Sequence, residues 1–173
     1  CPPCNQLKAT LFNRQDFIER SRSFVAVGID GDGPGAQKLG ARFKVVGYPT
    51  MILFNAAGLE VTRLPGEADA PQVMHALHLG LSGGRPVKAV LAGARSGKAL
   101  SADEWRMLAF YSWETDEEQL VARADRSRLL ASLAAASSSG DAGTTTRLRL
   151  KALAANEDGK GFGPDAVLRW RIR

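Results

Sequence analysis

Two cysteines separated by two prolines open the chain as Cys1-Pro2-Pro3-Cys4, and they are the only cysteines among its 173 residues. When the first cysteine of such a pair begins a helix, the second lies one turn on, and their sulfurs can form and break a disulfide. Unpaired N–H groups and the positive end of the helix dipole favour a thiolate at the first position. Leu7 and Leu11 share a helical face with Cys4. We therefore predict that Cys4 points inward as the resolving thiol and that Cys1 is the exposed, attacking thiol.

Composition narrows the classes of protein to which this chain can belong. Its apolar content of 45% is enough for a hydrophobic core, and its net charge of +5 is spread among acidic residues. No basic cluster is interleaved with stacking aromatics, so a role in nucleic-acid binding is not expected. No apolar run reaches the length of a membrane span, so no membrane insertion of the visible chain is expected.

The first 84 residues alternate between helical and strand patterns. The apolar run at residues 24–29 and the run at 51–54 are predicted as buried strands, and residues 59–64 alternate as a hairpin partner of the second run. Helices are predicted over residues 5–12, 15–20, around 39–43, and 70–81, where the last has its apolar face at Val73, Met74, Leu77 and Leu81.

This order of elements resembles the thioredoxin superfamily over about residues 1–82. The resemblance is carried by the cysteine pair, by Gly47-Tyr48-Pro49-Thr50, and by the hairpin residues Phe54, Gly58, Glu60 and Gly66. The Cys-Pro-Pro-Cys motif is typical of tryparedoxins and nucleoredoxins, whereas the rest is more similar to bacterial periplasmic thiol:disulfide interchange domains. The resemblance implies a cis bond before Pro49, facing the cysteines. It also implies that the backbone of Tyr48 pairs with an extended partner segment and that Thr50 follows on the strand.

Two features of that family are not in the printed sequence. The family has a strand, often with a tryptophan, just before the first cysteine, and a buried acid upstream. We expect the strand in the full protein, before Cys1. Which acid accepts the proton of Cys4 is left open.

Composition shifts after Gly83-Gly84, and residues 85–173 are predicted to form a mainly helical domain, with residues 1–84 as the thioredoxin-like domain. Helices are predicted over residues 86–94, from the capping box that begins at Ser101, over 116–135, and over 146–155. Residues 137–143 are predicted to be a loop. Alternation at Leu168, Trp170 and Ile172 is typical of a short terminal strand. Trp105, Tyr111 and Trp113 are interpreted as helix-packing core residues, with a peptide groove as the alternative.

Four other residues have an alternative interpretation: His75, His78, Pro49 and Lys8. His75 and His78 lie at helical spacing and would complete a Cys₂His₂ metal site, but they lie opposite the apolar face and are predicted to be solvated. Pro49 has the alternative role of a simple strand-entry proline. Lys8 is predicted to be solvated, although it lies two turns from Cys1.

The sequence therefore predicts an α/β protein that exchanges disulfides with partner proteins through Cys1 and Cys4, with no cofactor and no metal. Its expected partners are protein thiols or disulfides and an upstream electron donor, and the helical domain is a candidate docking region. Pro2 and Pro3 remove two N–H groups that would stabilise a thiolate, which favours a reductant. A periplasmic or otherwise exported location is expected, with the cytoplasm as the alternative. A peptide-binding adaptor with little redox turnover is the alternative function.

Overall fold

The computed structural model describes residues 2–66, 68–137 and 141–156, and its contacts divide the chain into two compact units, Cys1–Gln119 and Leu120–Arg173. The first unit contains a two-stranded sheet and most of the helices. Its elements are α1 (Pro2–Thr10), α2 (Gln15–Ser21), α3 (Ala36–Arg42), β1 (Thr50–Phe54), β2 (Glu60–Pro65), α4 (Ala70–Leu81), α5 (Val87–Arg95) and α6 (Ala102–Phe110). The second unit contains α7 (Arg123–Ala136) and α8 (Ala142–Ala154).

The hairpin β1–β2 is the centre of the first unit. Thr50 pairs with Pro65 and Met51 with Leu64, in antiparallel register. The turn between the strands is held by Asn55, whose side-chain oxygen accepts hydrogen bonds from the N–H groups of Ala57 and Leu59. Such a side-chain acceptor favours a tight turn. The predicted hairpin is therefore confirmed.

Helix α1 packs its apolar face on this hairpin. Leu7 and Leu11 are buried in one hydrophobic cluster with Leu64 of β2 and Val73 of α4, and Met51 of β1 packs against the same cluster. The helical spacing that the sequence shows after Cys4 thus corresponds to real burial. Because α1 and both strands share this cluster, the start of α1 is attached to the same framework as the residues that flank β1.

The capping box predicted at Ser101 is confirmed, and a second capping box, which was not predicted, begins α4 at Asp69. The Asp69 carboxylate accepts from the Gln72 N–H at 2.9 Å at the start of α4, and the Ser101 hydroxyl accepts from the Glu104 N–H at 3.2 Å at the start of α6. In both helices the third residue bonds back to the cap, which completes a capping box. The predicted helix over residues 70–81 has the observed bounds of α4.

The prediction of a buried strand at residues 24–29 is wrong. No described strand pairs with this run, and Val25, Val27 and Ile29 are 93%, 75% and 50% exposed. β-branched residues favour a strand only where a neighbouring strand takes their backbone hydrogen bonds and a packed layer covers them. In the described part of the chain the sheet has two strands, β1 and β2, and neither lies beside this run.

The helical half differs from its prediction in two places. Residues 116–122 are not helical, so the helix predicted over 116–135 begins only with α7. Helix α8 begins four residues earlier than predicted, because the Asp141 carboxylate accepts from the N–H groups of Gly143 and Thr144. The helix predicted over 86–94 is confirmed as α5. The alternation at Leu168, Trp170 and Ile172 lies outside the described residues.

Candidate active site

Cys4 lies in the first turn of α1, and its side chain is half-buried. It is disulfide-bonded, so it is not a free thiol. Cys1, the other cysteine of the sequence, lies outside the described residues. Leu7 and Leu11, one and two turns further on, fix the orientation of α1 through the hydrophobic cluster. The position of Cys4 in the fold is therefore determined by ordinary core packing of its helix.

The second part of the site is the loop before β1, residues 47–50, here called the proline loop. The peptide bond between Tyr48 and Pro49 is cis, the isomer that the family resemblance implies. Pro49 is half-buried, whereas the Tyr48 side chain is 56% exposed. The Thr50 hydroxyl donates to the Gly47 carbonyl at 2.7 Å, which closes the loop across the cis bond.

Gly66 explains how closely the proline loop packs on the end of β2. A Cβ atom at residue 66 would lie 2.3 Å from Pro49 Cγ and 2.4 Å from Pro49 Cδ. Real Cβ atoms do not approach other atoms this closely, so only glycine fits. Because Thr50 pairs with Pro65, the loop leaves the hairpin at the same end where β2 finishes. The helix of Cys4 and the loop of Pro49 are thus both anchored on this one hairpin.

A segment that the sequence analysis did not assign to the site supports the proline loop from the other side. Residues 111–119, here called the bracing segment, follow α6. Val46 donates its N–H to the Thr115 carbonyl at 3.2 Å, and Glu117 donates its N–H to the Lys44 carbonyl at 3.0 Å. Val45 and Asp116 form the antiparallel bridge between these two bonds.

Arg63 links the bracing segment to the hairpin from a fully buried position. Its guanidinium donates to both Glu60 carboxylate oxygens at 2.7 and 2.8 Å, and to the carbonyls of Phe43 and Lys44 at 2.8 and 3.0 Å. Asp116 completes the group, with its Oδ1 3.7 Å from Arg63 Nη1. Burial lowers the pKa of Arg63, but the hydrogen bonds and charges around it outweigh that effect and raise its pKa above the ordinary value. The guanidinium is therefore charged at every pH of interest.

Tyr111 is buried in the same group. Its hydroxyl lies 3.2 Å from Asp116 Oδ2 and 3.3 Å from Gln119 Nε2. Burial and the neighbouring carboxylate of Glu60 raise the pKa of Tyr111 above its usual range. Its hydroxyl stays protonated and donates hydrogen bonds.

The aromatic residues after α6 are core residues, as predicted, but they do not lie in helices. Tyr111 and Trp113 are buried and meet edge to face at 4.9 Å between ring centroids. Trp113 Nε1 donates to the Leu108 carbonyl at 2.9 Å. Trp105 is half-buried. The sequence of residues 111–119 shows no helical spacing of apolar residues. The segment is identified instead by its buried polar side chains, Ser112 and Asp116.

The two histidines differ from each other, and the prediction that both are solvated is wrong for one. His78 is exposed, whereas His75 Nε2 is buried without a hydrogen-bond partner among the described residues. Burial lowers the pKa of His75, while Asp103, 3.8 Å away, opposes that shift. Lys8 is exposed, as predicted.

His75 lines a cavity of about 90 Å³ between β2, α4 and α6. Thr62 lines it too, and its hydroxyl oxygen is buried and has no partner within the described ranges. In those ranges no three His, Cys, Asp or Glu side chains come together as ligands for a metal ion.

The site combines a CxxC motif at the start of a helix, a cis-proline before a strand, and a hairpin that anchors both. Residues 1–80 match the family model of a thioredoxin-like domain. The match covers slightly less than half of the chain and leaves α5, α6 and the bracing segment outside it. The corresponding searches of curated proteins and of solved structures found no match.

The predicted fold class is therefore confirmed: an α/β, thioredoxin-like domain is followed by a helical part. The thioredoxin-like match ends four residues before the predicted domain boundary at residue 84. Compact packing does not stop there, since the first unit continues to Gln119. No helix in the described part of the chain is both long and apolar enough to cross a membrane.

Proposed function

We propose that this protein is a thiol–disulfide oxidoreductase that reduces disulfides of partner proteins through Cys1 and Cys4. The observation that carries the proposal is the anchoring of two parts on one hairpin: the helix of the CxxC motif, in which Cys4 is disulfide-bonded, and the loop of Pro49. The thioredoxin-like match over residues 1–80 supports it, because members of that family are commonly oxidoreductases. Tyr48, Pro49 and Thr50 are proposed to hold the partner segment.

The reaction is written as two exchanges. The Cys1 thiolate attacks one sulfur of the partner disulfide, which forms a mixed disulfide and releases the other partner sulfur as a thiolate. The Cys4 thiolate then attacks the Cys1 sulfur, which releases the second partner thiolate and leaves a Cys1–Cys4 disulfide. The partner gains two electrons, and its thiolates take up protons from water. An upstream dithiol donor returns the pair to its reduced form.

The direction of the reaction depends on the reduction potential. Pro2 and Pro3 have no N–H group, so neither can stabilise the Cys1 thiolate. A less stabilised thiolate makes the dithiol a stronger reductant. We propose a potential near that of thioredoxin, about −270 mV, rather than near the strongly oxidising value of about −120 mV. An exported, periplasmic location and an upstream electron donor are part of the proposal.

Dithiothreitol-coupled insulin reduction tests the proposal. The purified protein should accelerate the reaction, Cys1→Ser should abolish the acceleration, and the exposed-residue variant Thr146→Val should leave it unchanged. In cells, Cys4→Ser should hold its partner as a stable mixed disulfide, which identifies the substrate. Full insulin reduction by Cys1→Ser would refute the proposal. Retention of partner binding together with no turnover in the wild type would favour the adaptor function instead.

A further inference from the structure

We propose that Thr115 is a positioning residue that fixes the proline loop for partner binding. The inference rests on the proposed function, since it concerns the same site. Thr115 lies outside the residues that match the thioredoxin-like model, in the bracing segment after α6. Its contacts reach the loop on both sides of the cis bond.

The backbone of Thr115 holds the approach to the loop. Its carbonyl accepts the Val46 N–H at 3.2 Å, and the adjacent Val45–Asp116 bridge keeps the two chain segments antiparallel. The Glu117 N–H, bonded to the Lys44 carbonyl at 3.0 Å, forms the second bond of this short ladder. The ladder ends at Val46, two residues before Tyr48.

The side chain of Thr115 contacts the loop itself. Its Oγ1 lies 3.1 Å from Thr50 Oγ1 and 2.8 Å from Ser112 Oγ, while Thr50 Oγ1 bonds the Gly47 carbonyl. The hydroxyls of Ser112, Thr115 and Thr50 thus form a chain that ends on the loop backbone. On the methyl side, a Cβ atom added at Gly47 would lie 3.0 Å from Thr115 Cγ2. Through its hydroxyl, Thr115 therefore holds Thr50 and, through Thr50, the Gly47 carbonyl, at the two ends of the loop.

The loop held in this way leaves the backbone of Tyr48 open. No described residue makes a hydrogen bond to the N–H or carbonyl of Tyr48, whereas the Val46 N–H and the Thr50 hydroxyl are both engaged. An extended partner segment can take these two groups only if they point in fixed directions. Because Thr115 bonds the residues that flank Tyr48, and not Tyr48 itself, it acts on the partner indirectly, by limiting the directions that the loop samples.

The test uses a pair of variants that separate the hydroxyl from the methyl group. Thr115→Val keeps the shape and removes the hydroxyl, whereas Thr115→Ser keeps the hydroxyl. We expect Thr115→Val to raise the KM for insulin by about threefold to tenfold, the size expected for one uncharged hydrogen bond, with kcat unchanged. The reduction potential and the rate with a small disulfide that has no peptide backbone should also be unchanged. Thr115→Ser and the control Thr146→Val, at an exposed residue of the second unit, should both keep the wild-type KM.

Two results would overturn the inference while leaving the proposed function intact. One is a KM for insulin that Thr115→Val does not change. The other is a parallel loss with insulin and with the small disulfide, which would indicate general damage to the fold. Failure of the wild-type protein to reduce insulin would refute the proposed function, and the role of Thr115 with it.

Discussion

Replacement of Arg63 by methionine is expected to destabilise the first unit strongly. Arg63 has no exposed side-chain surface, and the Glu60 and Asp116 side chains beside it are 13% and 3% exposed. The variant fills a similar volume but removes the guanidinium that donates to both Glu60 carboxylate oxygens. It also removes the donors to the carbonyls of Phe43 and Lys44, which precede the proline loop.

The magnitude follows from the cost of an uncompensated buried charge. Removal of one partner of a buried ion pair costs about 3–5 kcal/mol. A domain of this size has a total free energy of unfolding of about 5–15 kcal/mol, so the variant loses a large share of its stability. Glu60→Gln removes the carboxylate charge to which Arg63 donates in the wild type. The double variant Arg63→Met/Glu60→Gln should therefore lose less than the sum of the single losses, by about 1–3 kcal/mol.

Urea unfolding followed by tryptophan fluorescence measures this effect, because Trp113 is buried in the same unit as Arg63. The matched control is Arg14→Met, since Arg14 forms an ion pair with Asp16 in which both side chains are about half exposed. An exposed pair of this kind contributes about 0–1 kcal/mol. A loss below about 1 kcal/mol for Arg63→Met, or strict additivity with Glu60→Gln, would refute the reasoning.

Three further variants test particular contacts. Gly66→Ala should shift the proline loop, because its Cβ would lie 2.3 Å from Pro49 Cγ, and should reduce insulin turnover several-fold. The control is Gly28→Ala, since Gly28 has open space around it. Unchanged insulin turnover by Gly66→Ala would contradict this prediction. Thr62→Val should raise the free energy of unfolding by about 1–2 kcal/mol, since it replaces a buried, unpartnered hydroxyl with a methyl group; a loss of stability would show that the hydroxyl has a partner. The pKa of His75 is lowered in the folded state. At pH values between this lowered pKa and the unfolded pKa of about 6.5, the unfolded chain binds more protons than the folded one, so the free energy of unfolding falls as the pH falls. His75→Gln should lose less stability than the wild type between pH 7.5 and 5.5, measured by urea unfolding, and parallel losses would refute this.

Local patterns in the sequence were enough to predict the elements that carry the site. The spacing of Cys4, Leu7 and Leu11 predicted the buried face of α1, and the capping box at Ser101 predicted where α6 begins. These signals are local because a helix depends on residues three and four positions apart. The cis bond before Pro49 was implied by the family resemblance and not by any local pattern, since trans is the common isomer for X–Pro bonds.

The exposed run at residues 24–29 shows why strands are harder to predict than helices. Its composition favours a strand, yet strand formation depends on a neighbour that local sequence does not contain. Val25 and Val27 are accordingly exposed in a segment without described strand pairing. The bracing segment illustrates the same limit in the opposite direction. Its polar composition resembles a solvated helix start, yet Ser112 and Asp116 are buried against residues that lie far away in the sequence.

The position of Arg63 explains why compact packing continues to Gln119, well past the end of the thioredoxin-like match. A fully buried guanidinium on β2 requires acceptors on every side, and the hairpin and the chain at residues 43–44 supply only part of them. Asp116 adds a carboxylate, and the Ser112 N–H bonds the Arg63 carbonyl at 3.0 Å. Without residues 111–119 the charge of Arg63 would be less well compensated, and the segment before the proline loop would lose its ladder partner. A chain cut after residue 110 should therefore be less stable than one cut after residue 119, and this difference is measurable by urea unfolding of the two fragments. Equal stability would mean that the bracing segment only covers the first unit and does not complete it.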